Sequence, residues 1–376
     1  MTAIATFTPE GATAMIHHSD LRQLQAVNEY PSISILAPTH RTSPDNKQDA
    51  IRVKNLVTEA KNRLLGEFSQ REMQPLFSQL DGLVEGVDYE HLLDGLALYV
   101  NKDIAQAFTL PFTVSERVVV DPTFATRDLV FAFNRTPRYY VLALSEKDTR
   151  LFEGFGASVD EIRSGGFPMR HGGPGGASNL PGGPGVNPSA SRDQAHRDFF
   201  RNVDAKFGAL QQEDKLPLVV AGVDRYLAFY REVSRSPDDI VGTAKGNYDH
   251  ATEHEIAQLA WPVMQDYLAQ RRMDALQQLN EAVGAQRSSS TIGEVWRMAR
   301  EGRGDTLLVE QDFHYPATVD ETGLILSPAE NATTPGVIDD AVDEVIEVVM
   351  AMGGSVVFVD NGALELHQRI ALILRY

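Results

Sequence analysis

Apolar positions recur at helical spacing along some stretches of the chain and gather into short strand-like runs along others. Ser19 to Val27 reads as a short helix and Ser32 to Leu36 as a strand that ends at Pro38. From Gln48 to Leu65, Ile51, Leu56, Ala60 and Leu64 fall near one helical face, with Arg52, Lys54, Lys61 and Arg63 outward. A second helix is expected near Glu72 to Leu83. Meander strands follow at Gly95 to Val100, Ala105 to Phe112 and Arg117 to Val120. Together these predict an α+β N-terminal domain over residues 1–126.

The next pattern opens with Leu129 to Phe133, read as a strand, then Arg138 to Leu144 and Thr149 to Glu153, a hairpin turned by Ser145 to Asp148. Arg170-His171 then leads into the stretch GGPGGASNLPGGPGVNPSAS. Glycine tolerates backbone angles closed to other residues and proline cannot continue a helix or interior strand, so residues 172–188 read as an exposed loop. Loops of this length without secondary structure are usually functional or linkers. Beyond it, Ser191 suits an N-cap and Gln194 stands at capping-box spacing, before a helix with Ala195, Phe199, Val203, Phe207 and Leu210 on one face. Arg192, Arg197, Arg201 and Lys206 put positive charge at the base of the loop. Pro217 to Ala221 is a strand, Arg225 to Val233 a helix, and His254 to Val283 one long helix or a bent pair with Pro262 at the bend. These complete a middle domain over 127–286.

The closing segment, 287–376, predicts a small α/β/α sandwich. Thr291 and Glu294 again have capping-box spacing, Thr306 to Val309 reads as a buried strand, and Val342, Val345, Ile346, Val349 and Met350 form a helix stripe closed by Gly353-Gly354. Strands at Ser355 to Val359 and Ile370 to Leu374 flank the turn Asp360-Asn361-Gly362. Asp339, Asp340, Asp343, Glu344 and Glu347 would give this domain an acidic solvated face, suited to a protein partner or to solubility rather than to a phosphate backbone. The overall class is thus α/β in three domains.

Composition narrows the chemistry. A chain of 376 residues with 43% hydrophobic content fills more than one core. With no cysteine there is no disulfide, thiolate zinc site or thiol nucleophile, and the cytoplasm is the expected location. The sequence shows neither a membrane-length apolar run nor a signal-peptide pattern, so no membrane contact is expected. A net charge of -18 excludes coating of nucleic acid through bulk electrostatics, so any RNA contact must be local. No GxxxxGK, short dinucleotide-binding turn or Gly-x-Ser-x-Gly is present. His250 and His254 lack an HExxH pattern and read as polar residues at a helix start. Asp238-Asp239 and Asp339-Asp340 are adjacent pairs that a helix points apart, unsuited to acid and base work. Neither a cofactor, a metal nor a catalytic residue is expected.

The order of parts resembles the archaeal and eukaryotic class-one peptide-chain release factors and their relative Pelota, in particular their bacterial, Balon-like ribosome-associated relatives. In that family a basic residue, a histidine and a glycine run lead to Gly-Gly-Gln-Ser and then to a basic, aromatic helix. The counterparts are Arg170-His171-Gly172 through Gly175-Gly176-Ala177-Ser178, then His196-Arg197-Asp198-Phe199-Phe200-Arg201-Asn202-Val203. Thr291 to Val295, Glu301 to Val309, Met352 to Val356 and Ile370 to Tyr376 resemble the family's third domain. The resemblance covers roughly residues 127–376 and implies a ribonuclease H-like α/β middle domain carrying the glycine-rich loop.

It further implies a ribosome A-site factor acting in hibernation, as a stress response, or in rescue. Arg170, His171, Arg192, Arg197 and Arg201 would contact ribosomal or transfer RNA. Gly172, Gly173, Gly175, Gly176, Ala177 and Ser178 would reach toward the peptidyl-transferase centre or the tRNA acceptor end, with elongation factor Tu as a possible carrier. Two departures bear on activity. Ala177 stands where the release factors have the glutamine that helps place water, and the first domain lacks Asn-Ile-Lys-Ser, their codon-reading motif. The alternatives are a peptidyl-tRNA hydrolase using backbone groups of Gly176 and Ala177, and a stress-associated scaffold without ribosome contact.

Overall fold

The computed structural model describes residues 18–135, 137–145, 147–172, 188–213, 215–330 and 336–376. The N-terminal part comprises α1 (His18–Gln25), β1 (Ser32–Pro38), α2 (Asp49–Leu65), α3 (Gln70–Glu85), β2 (Gly95–Val100), β3 (Ala105–Leu110), β4 (Arg117–Asp121) and α4 (Arg127–Arg135). Its antiparallel sheet has the order β3-β2-β1-β4. The expected meander therefore breaks after β3. Ile33, Ile35 and Leu36 bury β1 on both faces, and a strand so placed needs a partner on each edge, which β4 supplies.

Helix α2 buries Val53, Leu56, Val57, Ala60 and Leu64, whereas Ile51, expected inward, is exposed. The two valines, one turn apart, set the inward stripe. Its cations are largely paired: Arg52 with Asp49 and Glu116, Lys61 with Asp81, Arg63 with Glu59. The run Leu129 to Phe133, expected as a strand, is part of α4. Its side chains are apolar almost all round because two layers press on it. Phe131 stands edge-on to Phe112 of the N-terminal part (4.7 Å) and to Phe358 of the C-terminal part (5.1 Å).

The middle part contains β5 (Arg138–Ala143), β6 (Arg150–Phe155), β7 (Ser158–Ile162), α5 (Pro188–Glu213), β8 (Leu218–Gly222), α6 (Asp224–Val233), β9 (Ile240–Lys245) and the long α7 (Glu253–Gly284), which holds Pro262 within it. The sheet order is β7-β6-β5-β8-β9, with β5 to β7 antiparallel and β8 and β9 parallel to β5. That is the ribonuclease H-like arrangement. Helices α5 and α6 cover one face through Phe200, Val203, Phe207 and Tyr230; α7 covers the other through Ile256, Ala257, Ala260 and Met264. In β6, Gly154 is required by packing, since a Cβ there would lie 2.4 Å from the Tyr139 ring.

The C-terminal part has β10 (Ser288–Ser290), α8 (Ile292–Arg300), β11 (Gly304–Glu310), the hairpin β12 (Ala317–Val319) and β13 (Leu326–Pro328), α9 (Ala341–Ala351), β14 (Ser355–Val359) and β15 (Ile370–Leu374). Strand order is β10-β15-β11-β14. Helices α8 and α9 cover one face, and Ala275 and Leu279 of α7 pack on the other against Leu308, Val357 and Ala371, which gives the expected α/β/α sandwich. The capping box at Thr291 does not form. Thr291 takes a φ of 68° and caps nothing with its side chain, while Glu294 accepts from Ser289 Oγ at 3.4 Å.

By contacts the chain forms two compact units, Thr136–Asp274 and the union of Met1–Arg135 with Ala275–Tyr376. Residues 127–135 and 275–286, expected with the middle domain, thus belong with the chain's ends. Arg127 shows why. Buried to 2% exposure, its guanidinium donates to Asp340 Oδ2 at 2.9 Å, to the carbonyls of Gln311 (2.7 Å) and Glu310 (3.3 Å), and to that of Phe313. Asp340 also accepts from His314 Nδ1 (2.7 Å), Tyr315 N (3.0 Å) and Val342 N (3.1 Å), so it caps α9. Asp340 and Asp343 are both buried, so the acidic face of α9 is not the solvated surface the sequence suggested.

Replacing Arg127 by Met should cost about 3–5 kcal/mol, because it leaves a buried carboxylate without its cation; the shift in urea midpoint measures this. Burial opposes ionisation of Asp340, but the hydrogen bond from His314 and the Arg127 charge prevail and hold its carboxyl at about 2. Its folded value lies below the unfolded one, so the stability it contributes is present above about pH 4 and lost as pH falls toward 2. Acid unfolding monitored by circular dichroism should therefore be shallower in Asp340→Asn.

Candidate functional site

Arg170 and His171 are fixed at the loop root by two attachments. Met169 pairs with Thr149 through both backbone bonds (2.8 and 2.9 Å), and Arg170 forms a two-pronged pair with Asp148 (Nε 3.0 Å, Nη2 3.1 Å). The turn between β5 and β6 thereby holds the incoming strand end. His171 then lies on α5, its Nε2 3.4 Å from the Ala195 carbonyl and its ring stacked on His196 at 4.9 Å.

His196 is buried and donates from Nδ1 to the Arg192 carbonyl at 2.7 Å. Its other neighbour is the Tyr226 ring of α6, stacked at 5.4 Å. His171, His196 and Tyr226 thus form a ring column across α5 and α6, with Phe199 edge-on to His171 at 5.2 Å. The periodicity marks Phe199 and Val203 but misses Phe200, which is fully buried, and gives no sign of Tyr226 or Phe229 as neighbours of the site.

The arginines are present at the root but not bare. Arg197 pairs with Glu232 at 2.7 Å and lies over the Phe229 ring at 4.3 Å; that hydrogen bond holds its guanidinium above the usual range. Arg225, which the sequence pattern does not single out, pairs with Asp193 and sits over the same ring at 5.5 Å. Arg201 pairs with Asp198, and Gln194 donates to Asp198 at 3.0 Å. Ser191, expected as the N-cap, lies within α5, which begins at Pro188, a residue suited to a first helical turn. Exposed ion pairs contribute little net stability because water competes for both partners, so a phosphate oxygen can take the place of the carboxylate.

Gly172 meets nothing within 4 Å of an added Cβ, so packing does not demand glycine there. Gly173, Gly175, Gly176, Ala177 and Ser178 lie outside the described residues. On the other side of the β5–β6 turn, Ser145 Oγ donates to Asp249 at 2.7 Å and Lys147 Nζ lies 3.5 Å from His250 Nε2. These border an open cleft of about 690 Å³ lined by Asn247, Tyr248, Asp249, His250 and Gln258, beyond the carboxyl end of β9. His254 is bonded to Gln258. Among the described residues no group of three or more His, Asp or Glu could hold a metal ion, and no helix is long and apolar enough to cross a membrane. The root offers guanidinium groups, stacked rings and backbone groups. Replacing His196 by Ala should destabilise the middle unit by roughly 2–4 kcal/mol in urea titration, and His196→Phe by less, since the phenyl ring keeps the column.

Residues 138–303 match the family model for bacterial archaeo-eukaryotic release factor family 3. No curated protein matches. Among solved structures the chain is similar to the archaeal translation termination factor aRF1 (14% identity, covering 96% of this chain and 99% of that one, TM-score 0.24). It is also similar to Archaeoglobus fulgidus Pelota (15%, 95% and 92%, 0.31) and to archaeal Pelota in a model of its ribosome-bound form with ABCE1 (13%, 97% and 95%, 0.43). Residues 138–303, a little under half of the chain, are thus similar to the bacterial archaeo-eukaryotic release factor family 3.

Proposed function

We propose that the protein is a ribosome-associated factor of the release-factor and Pelota type, which binds the A site and acts in hibernation or rescue without hydrolysing peptidyl-tRNA. One observation supports the reading: the family match spans the glycine-rich run, in which Gly175-Gly176-Ala177 resembles the release factors' Gly-Gly-Gln with alanine in the last place. Alanine keeps a backbone N–H but has no side-chain group to position water, which argues against hydrolysis by the glutamine route. Arg170, Arg192, Arg197 and Arg201 would meet ribosomal or transfer RNA phosphates, exchanging carboxylate partners for phosphate oxygens, and the loop would approach the tRNA acceptor end. Elongation factor Tu would serve as carrier, and the cytoplasm as the place of action.

The purified chain should co-sediment with bacterial ribosomes at low salt, with or without elongation factor Tu. Absence of co-sedimentation in both conditions would falsify the reading. Binding should weaken on removal of residues 172–188, and the triple variant Arg170→Ala, Arg197→Ala, Arg201→Ala should flatten the dependence of log affinity on log salt, by about 0.7–0.9 for each phosphate that is no longer neutralised. At saturating factor, no peptide should leave a stalled complex; release that loop deletion abolishes would favour the hydrolase instead.

A further inference from the structure

The acidic face of α9 is turned into the joint between the chain's two end parts. Asp339, Asp340, Asp343, Glu344 and Glu347 there meet Asp121, at the end of β4, around a cavity of about 20 Å³. Positive charge is short at this joint. Arg127 and His314 are committed to Asp340. Arg117 comes only within 3.6 Å of Asp339, and Arg300 of α8 only within 3.7 Å of Glu344. Asp128 of α4 adds a further carboxylate field at Arg117, and Arg63 of α2 adds a weak attraction at Asp121 and Asp339.

Asp343 is 6% exposed, and its Oδ1 has no hydrogen-bond partner. Glu347 accepts from Thr126 Oγ1 at 3.0 Å, and Glu344 from Thr123 Oγ1 at 3.3 Å, so hydroxyls stand where cations would be needed. Carboxylates buried with too few cations hold protons, because ionisation would leave charge without water. No group of three or more acids or histidines among the described residues is arranged to hold a metal ion instead.

We propose that this joint is a proton-binding latch: with Asp121, Asp343 and Glu347 protonated the N-terminal sheet and the C-terminal sandwich stay docked, and ionisation drives them apart. Burial first, then repulsion from Asp339 and Glu344, pushes Asp121 up to about 7; burial, then Glu344, pushes Glu347 up to about 8. Burial and the Glu347 charge move Asp343 in the same direction. Once separated, these groups titrate near the ordinary carboxylate value of about 4. The docked state therefore binds more protons than the open one. Its advantage is full below about pH 4 and is lost as pH rises through about 7 to 8, by up to about tenfold in the opening constant per pH unit for each proton released.

The chain has no cysteine, so Thr58→Cys on α2 and Thr318→Cys on β12, both exposed, accept a donor and acceptor dye without background labelling. Energy transfer should fall between about pH 5.5 and 8.5, with the opening constant rising at least about tenfold. The variant Asp121→Asn, Asp343→Asn, Glu347→Gln should stay docked at both ends of the range. If that variant does not fold, Glu347→Gln alone should reduce the steepness by about one proton. Transfer independent of pH in the otherwise native chain, an undiminished response in the amide variants, or restoration of docking at high pH by magnesium ions would each overturn the latch.

Discussion

A buried guanidinium holds the two ends of this chain together. Arg127 has been taken out of water, and a charge so placed is tolerable only if each of its donors is met. The donors are met by Asp340 and by backbone carbonyls from Glu310 to Phe313, all of which lie far along the chain in the C-terminal part. Helix α4 is therefore bound to α9 and β14 rather than to the strand that follows it. The burial of α9's carboxylates follows from the same contact, since Asp340 cannot reach Arg127 while its neighbours remain in solvent. The middle part is left to bury its own sheet with α5, α6 and the first half of α7, and it does so with a separate core on each face.

That separate core explains the form of the loop root. The strand end that leads into the glycine-rich run is held by contacts on both sides. The upstream end is fastened by the Met169–Thr149 bridge and the Arg170–Asp148 pair, and the column through His171, His196 and Tyr226 ties it to α5 and α6. They orient the strand end that leads into the glycine-rich run.

Much of this was legible in the sequence because it is local. The 3.6-residue stripes of α5 and α9, the β5–β6 hairpin and the turn glycines all report on neighbours a few residues away. What escaped depends on distant parts of the chain. Strands β7 and β9 lie at sheet edges, where exposed Asp160 and Thr243 and half-exposed Glu161 replace an apolar run. The apolar run of α4 suits either a buried strand or a helix between two layers, and only the second layer, supplied by Phe358, decides it. The acids of α9 look like a solvated face until the opposing β4 is in place. At the loop root the arginines could be read, but their partners could not: Glu232 lies 35 residues from Arg197, and Asp193 lies 32 from Arg225.

Those partners change what a net charge of -18 means. Part of the acid is buried in the joint between the chain's ends, where it exerts little field on a distant RNA. Another part is spent at the loop root, pairing guanidinium groups one by one. The average charge therefore neither forbids nor predicts contact with a phosphate backbone. What matters is exchange: a phosphate approaching Arg170 or Arg197 must displace Asp148 or Glu232, and the freed carboxylate then repels the same phosphate. In the role proposed above, such a surface would favour a rigid array of phosphates that engages several arginines together. The ring column holds α5 and the incoming strand end, and with them Arg197 and Arg170, in fixed relation.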